Sequence, residues 1–235
     1  MKLTIIIPLF NEENTIIKIL TAVQKVKIFY NYDMEVIVIN DGSTDDSLKL
    51  LKSNQSLYHK LINLEANQGK GSAINAGISA SSGDLIIIQD ADLEYDPFDY
   101  PKLLLPFEKH DADVVYGSRF KSSETNRVLY FWHSVANKII TIFSNCFSNL
   151  NLTDVETGYK VFKSEKLKSI NLDQKKFGIE IELTHKMANL KPSLKIFEVG
   201  ISYAGRTYKE GKKIGIKDAF EAIYCILKYG FFKRS

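Results

Sequence analysis

The pattern that most constrains the fold is an alternation of short β-branched runs with helix-like segments in the first half of the chain. Five runs are predicted to be strands, residues 3–7, 35–39, 60–64, 84–89 and 113–116. Four of these runs are rich in Ile or Val, which is typical of strands buried on both faces of a sheet. The alternation predicts an α/β fold with three layers, in which a mainly parallel central sheet has helices on both faces.

The helical segments are predicted from apolar residues at helical spacing. Residues 12–27 are predicted to form a helix with Asn11 as its N-cap. Further helices are predicted over residues 45–52, 71–80, 101–109, 128–150, 179–190 and 216–229. Two more strands are predicted over residues 159–162 and 194–203. No stretch rich in Pro, Gly or Ser separates these elements, so one compact unit is expected.

Hydropathy and charge limit the classes of protein to which the chain can belong. No stretch approaches the ~18–20 apolar residues that a membrane span needs. The apolar start resembles a secretory leader, but Asn11, Glu12 and Glu13 interrupt it. Residues 1–190 carry 21 Lys and Arg against 24 Asp and Glu, a balance of −3, whereas residues 191–235 carry ten against four, a balance of +6. The basic end favours an anionic partner, such as a phosphate or an acidic membrane surface. A solvated lysine-rich face is the alternative.

The two cysteines, Cys146 and Cys225, lie far apart and form no CxxC pair. With four scattered histidines, they do not suggest a zinc site. We expect both to be reduced, buried thiols.

Polar side chains follow each strand of the predicted sheet. Because ligands of open α/β sheets bind beyond the carboxyl ends of the strands, these loops are expected to form one site. The loop after the fourth strand contains Asp90 and Asp92, with Glu94 two positions further on. Carboxylates so spaced can share a hard divalent cation with a diphosphate. The alternative is a turn in which the Asp side chains bind their own backbone.

The glycine-containing segment Gly69-Lys70-Gly71 follows the third predicted strand. It is too short for the GxxxxGK[ST] loop of kinases and ATPases, and the GxGxxG motif of Rossmann dehydrogenases is also absent. The sequence therefore argues against those three classes, although the glycines and Lys70 can still approach a nucleotide.

Several motifs taken together resemble a known family. Three lie in the first half, Pro8-Leu9-Phe10-Asn11-Glu12, Asn40-Asp41-Gly42-Ser43 and Gln89-Asp90-Ala91-Asp92. They resemble the family-2 glycosyltransferases of the GT-A fold. Three further matches are similar to the dolichol-phosphate mannose synthase group, at Gly117-Ser118-Arg119-Phe120, at Thr153-Asp154 with residues 158–162, and at residues 203–213. The resemblance covers essentially the whole chain in the right order.

The resemblance implies an activity and a domain organisation. Residues 1–213 would form the GT-A catalytic domain, and residues 214–235 a C-terminal amphipathic helix with a basic–aromatic tail in the same compact unit. The implied reaction is the metal-dependent, inverting transfer of a hexose, mannose or glucose, from a GDP- or UDP-sugar to a polyprenyl phosphate such as dolichyl or undecaprenyl phosphate. The implied cofactor is Mg²⁺ or Mn²⁺. The alternative is transfer to a hydroxyl of a cell-surface glycan.

The resemblance also implies roles for individual residues. The expected nucleotide-sugar contacts are Pro8, Phe10, Glu12, Asp41, Lys70, Gln89, Asp90, Ala91, Arg206 and Lys213. The expected metal ligands are Asp90, Asp92 and Glu94. The family commonly has glutamine at the position of Glu94. The glutamate of this chain departs from that pattern, and the difference bears on metal preference. Arg119 and Arg127 are expected to hold the acceptor phosphate, because a guanidinium matches that anion geometrically. The expected catalytic residues are Asp92, Arg119, Asp154 and Arg206.

The chemistry of the acceptor decides whether the site needs a general base. A phosphate is already an anionic nucleophile at neutral pH, whereas a sugar hydroxyl must lose its proton to a carboxylate. Asp154 or Glu156 would then be the candidate base. Two arginines at the expected acceptor position favour the lipid phosphate.

The expected partners are a nucleotide-sugar donor, a polyprenyl phosphate acceptor, and an anionic membrane surface or a small membrane-anchoring subunit, with no nucleic acid. The expected location is the cytoplasm, peripheral to the cytoplasmic face of a membrane. Tyr130, Phe131 and Trp132 are expected to be packing residues, with contact to a prenyl chain as the alternative. The tail at residues 231–234 either rests on an anionic bilayer or is a frayed terminus.

Overall fold

A computed structural model describes residues 1–30, 33–121, 127–128, 130–206 and 216–231. Its strands are β1 (Lys2–Leu9), β2 (Asp33–Asp41), β3 (Lys60–Leu64), β4 (Leu85–Ile88), β5 (Val114–Ser118), β6 (Lys160–Lys163) and β7 (Ile196–Gly200). Its helices are α1 (Ile16–Tyr30), α2 (Ser47–Ser53), α3 (Lys70–Ala80), α4 (Tyr100–His110), α5 (Phe131–Ser148), α6 (Ser164–Lys168), α7 (Ile179–Asn189) and α8 (Ile216–Phe231). Short 3₁₀ turns lie at Gln55–Leu57 and Pro97–Asp99.

The strands form one sheet in the order β3-β2-β1-β4-β6-β5-β7. Strand β6 runs antiparallel to its neighbours β4 and β5, and the other four pairings are parallel. The prediction of a mainly parallel sheet is therefore confirmed. Because most strands point the same way, their carboxyl ends share one edge of the sheet, which we call the carboxyl edge.

Helices cover both faces of the sheet, as the continuous apolar runs predict. Alternate side chains of one strand enter different hydrophobic clusters: Ile5 and Ile7 of β1 face one cluster, and Ile6 faces the other. The first cluster includes residues of α1, α2 and α4. The second includes residues of α3, α5, α6, α7 and α8. The result is the three-layer arrangement expected from the sequence.

Helix α8 is part of the second layer rather than a separate appendage. It packs against α5 and α7, and its residues Ala222, Cys225 and Ile226 are buried. The predicted boundary between residues 213 and 214 lies outside the described residues. In the described ranges, no helix is long and apolar enough to cross a membrane.

The start of α1 differs from the prediction. The helix begins at Ile16, and Asn11 lies in a left-handed conformation with φ of 53°. The Asn11 side chain instead accepts a hydrogen bond of 2.8 Å from the backbone N–H of Thr44. Asn tolerates this conformation better than most residues, so Asn11 joins the loops after β1 and β2 rather than capping the helix.

The cysteine prediction holds for one residue and fails for the other. The Cys225 thiol is buried beneath α8, whereas Cys146 is exposed on α5. Cys146 lies on the outward side of an amphipathic helix. Because a thiol is only weakly polar, the sequence did not indicate whether this residue faces the core or the solvent.

Candidate active site

A cleft of about 800 Å³ opens at the carboxyl edge of the sheet. Its floor comes from the loops that follow β1, β3, β4, β5 and β7 and from Asp41 at the end of β2, and its rim includes residues of α5 and α8. The predicted site residues that line it are Pro8, Phe10, Glu12, Asp41, Lys70, Asp90, Ala91, Asp92, Glu94, Arg119 and Arg206. The topology thus brings together most of the residues that the sequence singled out.

Arg206 joins acidic residues from two loops. Its Nη2 atom lies 2.8 Å from Oδ2 of Asp92, and its Nη1 atom lies 3.3 Å from Oε1 of Glu12. The backbone N–H of Arg206 donates to Oε1 of Glu94 at 2.8 Å. We call Glu12, Asp92, Glu94 and Arg206 the acid–arginine cluster. One guanidinium thereby balances three carboxylates, which leaves the cluster rich in negative charge.

Asp92 has a raised pKa within this group of carboxylates. Burial, together with the negative charges of Asp90 and Glu94, raises the pKa of Asp92 to about 7, although Arg206 opposes this rise. A further positive charge placed against Asp92 would relieve the repulsion. The cluster therefore has the electrostatic character of a cation site.

A second chain of charges runs beneath the cleft. Lys70, the first residue of α3, lies 2.7 Å from Oδ1 of Asp90 and 3.0 Å from Oε1 of Glu180. Glu180, at the start of α7, also pairs with the buried Lys160 of β6. Burial alone would raise the pKa of Glu180, but Lys160 and Lys70 hold it below its usual value. The chain ties α3, β6 and α7 to the Asp90 loop.

Asp41 and Gly69 build the turn that leads into α3. The Asp41 carboxylate accepts hydrogen bonds of 2.8 Å from the backbone N–H groups of Gln68 and Gly69. Gly69 has φ of +101°, and a Cβ there would lie 2.3 Å from the carbonyl oxygen of Lys175. Only glycine combines this conformation with so close an approach. The first glycine of Gly69-Lys70-Gly71 is therefore needed for the turn itself.

Arg119 and Asp154 form a bidentate ion pair. The Nε atom of Arg119 lies 2.7 Å from Oδ2 of Asp154, and Nη2 lies 2.7 Å from Oδ1. Asp154 is fully buried and does not line the cleft, whereas Arg119 does. Asp154 therefore meets the cleft only through Arg119, an arrangement that suits positioning of the guanidinium, and its catalytic role stays a prediction.

Gln89 also lies behind the cleft rather than in it. Its buried side-chain oxygen accepts hydrogen bonds from the hydroxyls of Tyr100 at 2.7 Å and Tyr159 at 2.6 Å. Its amide group donates to the carbonyl oxygen of Asp90 at 3.0 Å. The Gln89 side chain therefore anchors the Asp90 loop to the core, and its predicted contact with the nucleotide stays a prediction.

Among the described residues, the predicted acceptor residue Arg127 lies apart from the cleft lining. The guanidinium of Arg127 donates to the carbonyl oxygen of Gly205 at 3.0 Å, which places it beside the segment that carries Arg206. Arg127 is not among the residues that line the cleft. Lys213 lies outside the described residues.

The predicted metal ligands do not form a preassembled ligand set. Within the described ranges, no group of three or more His, Cys, Asp and Glu side chains is arranged to hold a metal ion. Nitrogen atoms of Lys70 and Arg206 instead lie against Asp90 and Asp92. The donor chemistry still fits Mg²⁺ or Mn²⁺, because the oxygen atoms are hard ligands and the acidic surplus is unrelieved at Asp92.

Sequence reasoning missed the residues that support the site from below. Lys160 and Glu180 are buried, yet neither was assigned a role. A lysine inside the short strand β6 and a glutamate between the buried apolar residues Ile179 and Ile181 were the available signals. Burying such groups is costly unless they are paired, so their presence in apolar contexts could have suggested an ion pair.

The rim of the cleft is mostly apolar where α5 and α8 contribute to it, although His133 and Asn137 of α5 also line it. Trp132, Ala136 and Ile140 of α5 and Ala219 and Ala222 of α8 line this side. Trp132 is largely exposed, as are Tyr130 and Phe131. The prediction that these aromatic residues pack in the interior is therefore wrong. The cleft has a charged floor and an apolar wall.

Comparisons with known proteins place this architecture in a family. The model of glycosyl transferase family 2 matches residues 4–170. Dodecaprenyl-phosphate galacturonate synthase of Rhizobium johnstonii is 25% identical over 239 residues, which cover 100% of this chain and 68% of that protein. Dolichol-phosphate mannosyltransferase of Pyrococcus furiosus is 25% identical over 232 residues, covering 97% of this chain but only 64% of that protein.

A solved structure shares the fold. Glucosyl-3-phosphoglycerate synthase of Mycobacterium tuberculosis, in complex with Mn²⁺, UDP and glucosyl-3-phosphoglycerate, superposes with a TM-score of 0.77 at 18% identity. The match covers 100% of this chain and 81% of that one. The GT-A fold expected from the sequence is thereby confirmed.

The buried ion pair beneath the cleft yields a stability prediction. Replacing Glu180 by Gln leaves the charge of Lys160 buried without its carboxylate, which is expected to lower the free energy of unfolding by about 3–5 kcal/mol. The matched control is Glu165→Gln on α6, where the acid side chain is 71% exposed and the loss should stay below about 1 kcal/mol. Urea denaturation followed by circular dichroism measures both. Equal losses in the two variants would contradict the importance of the buried pair.

Proposed function

This chain belongs to glycosyl transferase family 2, and from that premise we propose that it transfers a hexose from a GDP- or UDP-sugar to a polyprenyl phosphate. The transfer inverts the anomeric carbon, and mannose or glucose is the proposed sugar. The two curated relatives described above support a prenyl phosphate acceptor through their names. Residues 1–213 are proposed as the catalytic domain, and residues 214–235 as its C-terminal helix and tail.

The donor is proposed to bind across the charged floor of the cleft. Pro8, Phe10 and Asp41 would line the nucleoside pocket at the ends of β1 and β2. Arg206 would neutralise the diphosphate as it leaves, since developing charge is best stabilised by preorganised cations. Lys213, in the same basic segment of the sequence, is proposed to assist it.

A divalent cation is proposed as the cofactor of this step. Asp90, Asp92 and Glu94 would hold Mg²⁺ or Mn²⁺. The raised pKa of Asp92 supports that assignment, because burial and the charges of Asp90 and Glu94 both disfavour its carboxylate and a bound cation would offset them. When bound, the cation would supply electrostatic stabilisation to the leaving diphosphate. The Mn²⁺ and UDP bound by the mycobacterial synthase of the same fold support this choice of ligands.

The acceptor phosphate is proposed to bind at Arg119. Asp154 fixes the plane of the Arg119 guanidinium through two hydrogen bonds, so the arginine presents a preorganised donor to the cleft. Arg127 is proposed to assist from the neighbouring segment. A phosphate acceptor is ionised at neutral pH and needs no general base. This agrees with the burial of Asp154 away from the cleft.

The observation that carries the lipid acceptor is an apolar surface next to the cleft. Helices α5 and α8 pack side by side, and both expose large apolar side chains. We call these the apolar face: Phe131, Trp132, Ile139, Ile142, Phe220, Ile223, Tyr224 and Leu227. Monomeric proteins rarely expose so many together without a partner. Since α5 and α8 also form the rim of the cleft, the apolar face borders the proposed site of transfer.

An anionic bilayer is the occupant that we propose for the apolar face. Lys138 is the only Asp, Glu, Lys or Arg within the sequence of α5, and α8 is flanked in sequence by Lys212 and Lys213 on one side and by Lys233 and Arg234 on the other. Apolar residues with nearby cations suit the boundary between acyl chains and anionic headgroups. The enzyme is therefore proposed to work in the cytoplasm, at the cytoplasmic face of a membrane, directly or through a small membrane-anchoring subunit.

A second candidate is transfer to a hydroxyl of a cell-surface glycan. It is favoured by Glu156, a carboxyl group that lines the cleft and whose pKa is raised by burial to about 7. A general base works best near that pKa. The two candidates differ in their product, since a polyprenyl phosphate sugar partitions into organic solvent and is labile to mild acid.

We expect label from a GDP- or UDP-hexose to enter an organic-extractable, mild-acid-labile lipid when polyprenyl phosphate is supplied. Arg119→Lys keeps the charge beside Asp154 but loses the planar fork, so the KM for polyprenyl phosphate should rise about tenfold or more while the nucleotide affinity is kept. Radiolabel partition and calorimetric nucleotide binding measure the two quantities. Label found only in a water-soluble glycan would favour the hydroxyl acceptor, and an equal loss of nucleotide affinity would refute the role of Arg119.

The apolar face yields a prediction of vesicle binding. Ile142 and Phe220 are 63% and 69% exposed and do not line the cleft. Because burying each side chain is worth roughly 1.5–3 kcal/mol, Ile142→Ser/Phe220→Ser should weaken binding to phosphatidylglycerol vesicles by about 100-fold or more. The control is Phe29→Ser. Phe29 is 74% exposed and lies on α1, which covers the other face of the sheet. Cosedimentation measures binding, and equal binding by the double variant and the wild type would contradict the membrane orientation.

A further inference from the structure

Within the part of the chain that the structure describes, one acidic side chain of the cleft has no hydrogen-bond partner. The acids that do have partners, among the described cleft residues, are Glu12, Asp41, Asp90, Asp92, Glu94 and Glu180. The Oε1 atom of Glu156 is buried and accepts no hydrogen bond from any residue that the structure describes. A buried acceptor left unsatisfied costs about 1–3 kcal/mol, and such exceptions call for an explanation.

The position of Glu156 in the sequence lies between the two halves of the proposed reaction. Two residues before it, Asp154 holds Arg119. Two residues after it, Gly158 packs so closely on the Asp90 loop that a Cβ there would lie 2.5 Å from Oδ2 of Asp90. Glu156 itself lines the cleft. In sequence, Glu156 therefore stands between a residue that holds the proposed acceptor arginine and a residue that packs on the Asp90 loop, which is proposed to hold the cation.

The charges around Glu156 come from several elements and oppose one another. Lys160 of β6 and Arg119 after β5 favour the carboxylate, whereas Glu180 of α7 and Asp154 in its own loop disfavour it. Burial is the largest influence, and it raises the pKa of Glu156 to about 7. At neutral pH both forms of the carboxyl are present, so the group can accept or donate a hydrogen bond.

The chemistry of the ligand at this position follows from the transfer proposed above, on which this step rests. Between a leaving diphosphate and an incoming acceptor phosphate lies the hexose, whose polar groups are hydroxyls. We propose that Glu156 binds a hydroxyl group of the donor hexose and thereby helps to select the sugar. A site that hydrogen-bonds a substrate hydroxyl rejects analogues that lack it, because its own polar group is then left unpaired.

The test compares nucleotides with and without the sugar, and it needs no acceptor. UDP, UDP-glucose, GDP and GDP-mannose are titrated calorimetrically, with Mn²⁺ present, into the wild type, Glu156→Ala and Glu156→Gln. For the sugar nucleotide that the wild type binds, Glu156→Ala should raise Kd about 10- to 100-fold while the Kd of the matching nucleoside diphosphate stays unchanged. Glu156→Gln should lose less affinity, because an amide still forms a hydrogen bond. Glu165→Gln on α6 is the matched control and should bind like the wild type.

Monodeoxy derivatives of the bound sugar nucleotide identify the hydroxyl. One derivative should bind the wild type and Glu156→Ala with the same Kd, since the group that Glu156 would contact is already missing. The other derivatives should remain sensitive to the substitution. This pattern would not arise from a general loosening of the cleft, which would affect every derivative alike.

Each contrary outcome has a distinct meaning. Equal weakening of the nucleoside diphosphate and its sugar derivative would show a structural role and overturn the assignment. Unchanged affinities with a kcat reduced 100-fold or more would make Glu156 the general base of the hydroxyl-acceptor reaction and also overturn it. If the wild type binds none of the four nucleotides, the proposed function and the assignment of Glu156 are both overturned. If it binds a sugar nucleotide and the Glu156 substitutions leave that affinity unchanged, the assignment alone is overturned.

Discussion

The arrangement of the site depends on how negative charge is balanced at the carboxyl edge of the sheet. Glu12, Asp92 and Glu94 meet at Arg206, and Asp90 meets Lys70. These acids come from loops after β1 and β4. Mutual repulsion would push the loops apart without the cations, because like charges in a partly buried setting interact strongly. Arg206 and Lys70 therefore hold the floor of the cleft together and leave Asp92 with a surplus that suits a further cation.

The scaffold beneath the floor explains why these loops stay in place. Gln89 ties the Asp90 loop to two core tyrosines, and Lys70 links the same loop to Glu180 at the start of α7. At the proposed acceptor site, Asp154 holds Arg119 from a fully buried position. Gln89 and Asp154 do not line the cleft, whereas Lys70 and Glu180 do. Their shared effect is preorganisation, so that charges which develop during transfer meet dipoles and cations already in position.

The sequence predicted the fold more completely than the site. Continuous apolar runs such as residues 3–7 and 35–39 revealed the strands, and the polar loops after them predicted the edge where the cleft lies. The antiparallel insertion of β6 between β4 and β5 could not be predicted from its few residues, because a short run carries no signal of strand direction.

The hydrogen-bond and ion-pair partners of the side chains could not be predicted from the sequence either. Gln89 and Asp154 stand beside cleft residues in sequence, but their side chains face the core, and Trp132 was expected to pack inside although it faces outward. Such differences arise from three-dimensional packing, which a local sequence pattern does not reveal.

The central claim is that the acids and Arg206 form a site for a divalent cation and a nucleoside diphosphate. Calorimetric titration of UDP and of GDP into the wild type, in Mn²⁺ and in EDTA, tests it most directly. The account predicts that one of the two diphosphates binds in Mn²⁺ and that EDTA weakens its binding by about tenfold or more, which corresponds to about 1.4 kcal/mol. The same affinity in Mn²⁺ and in EDTA, or no binding of either diphosphate in Mn²⁺, would contradict it.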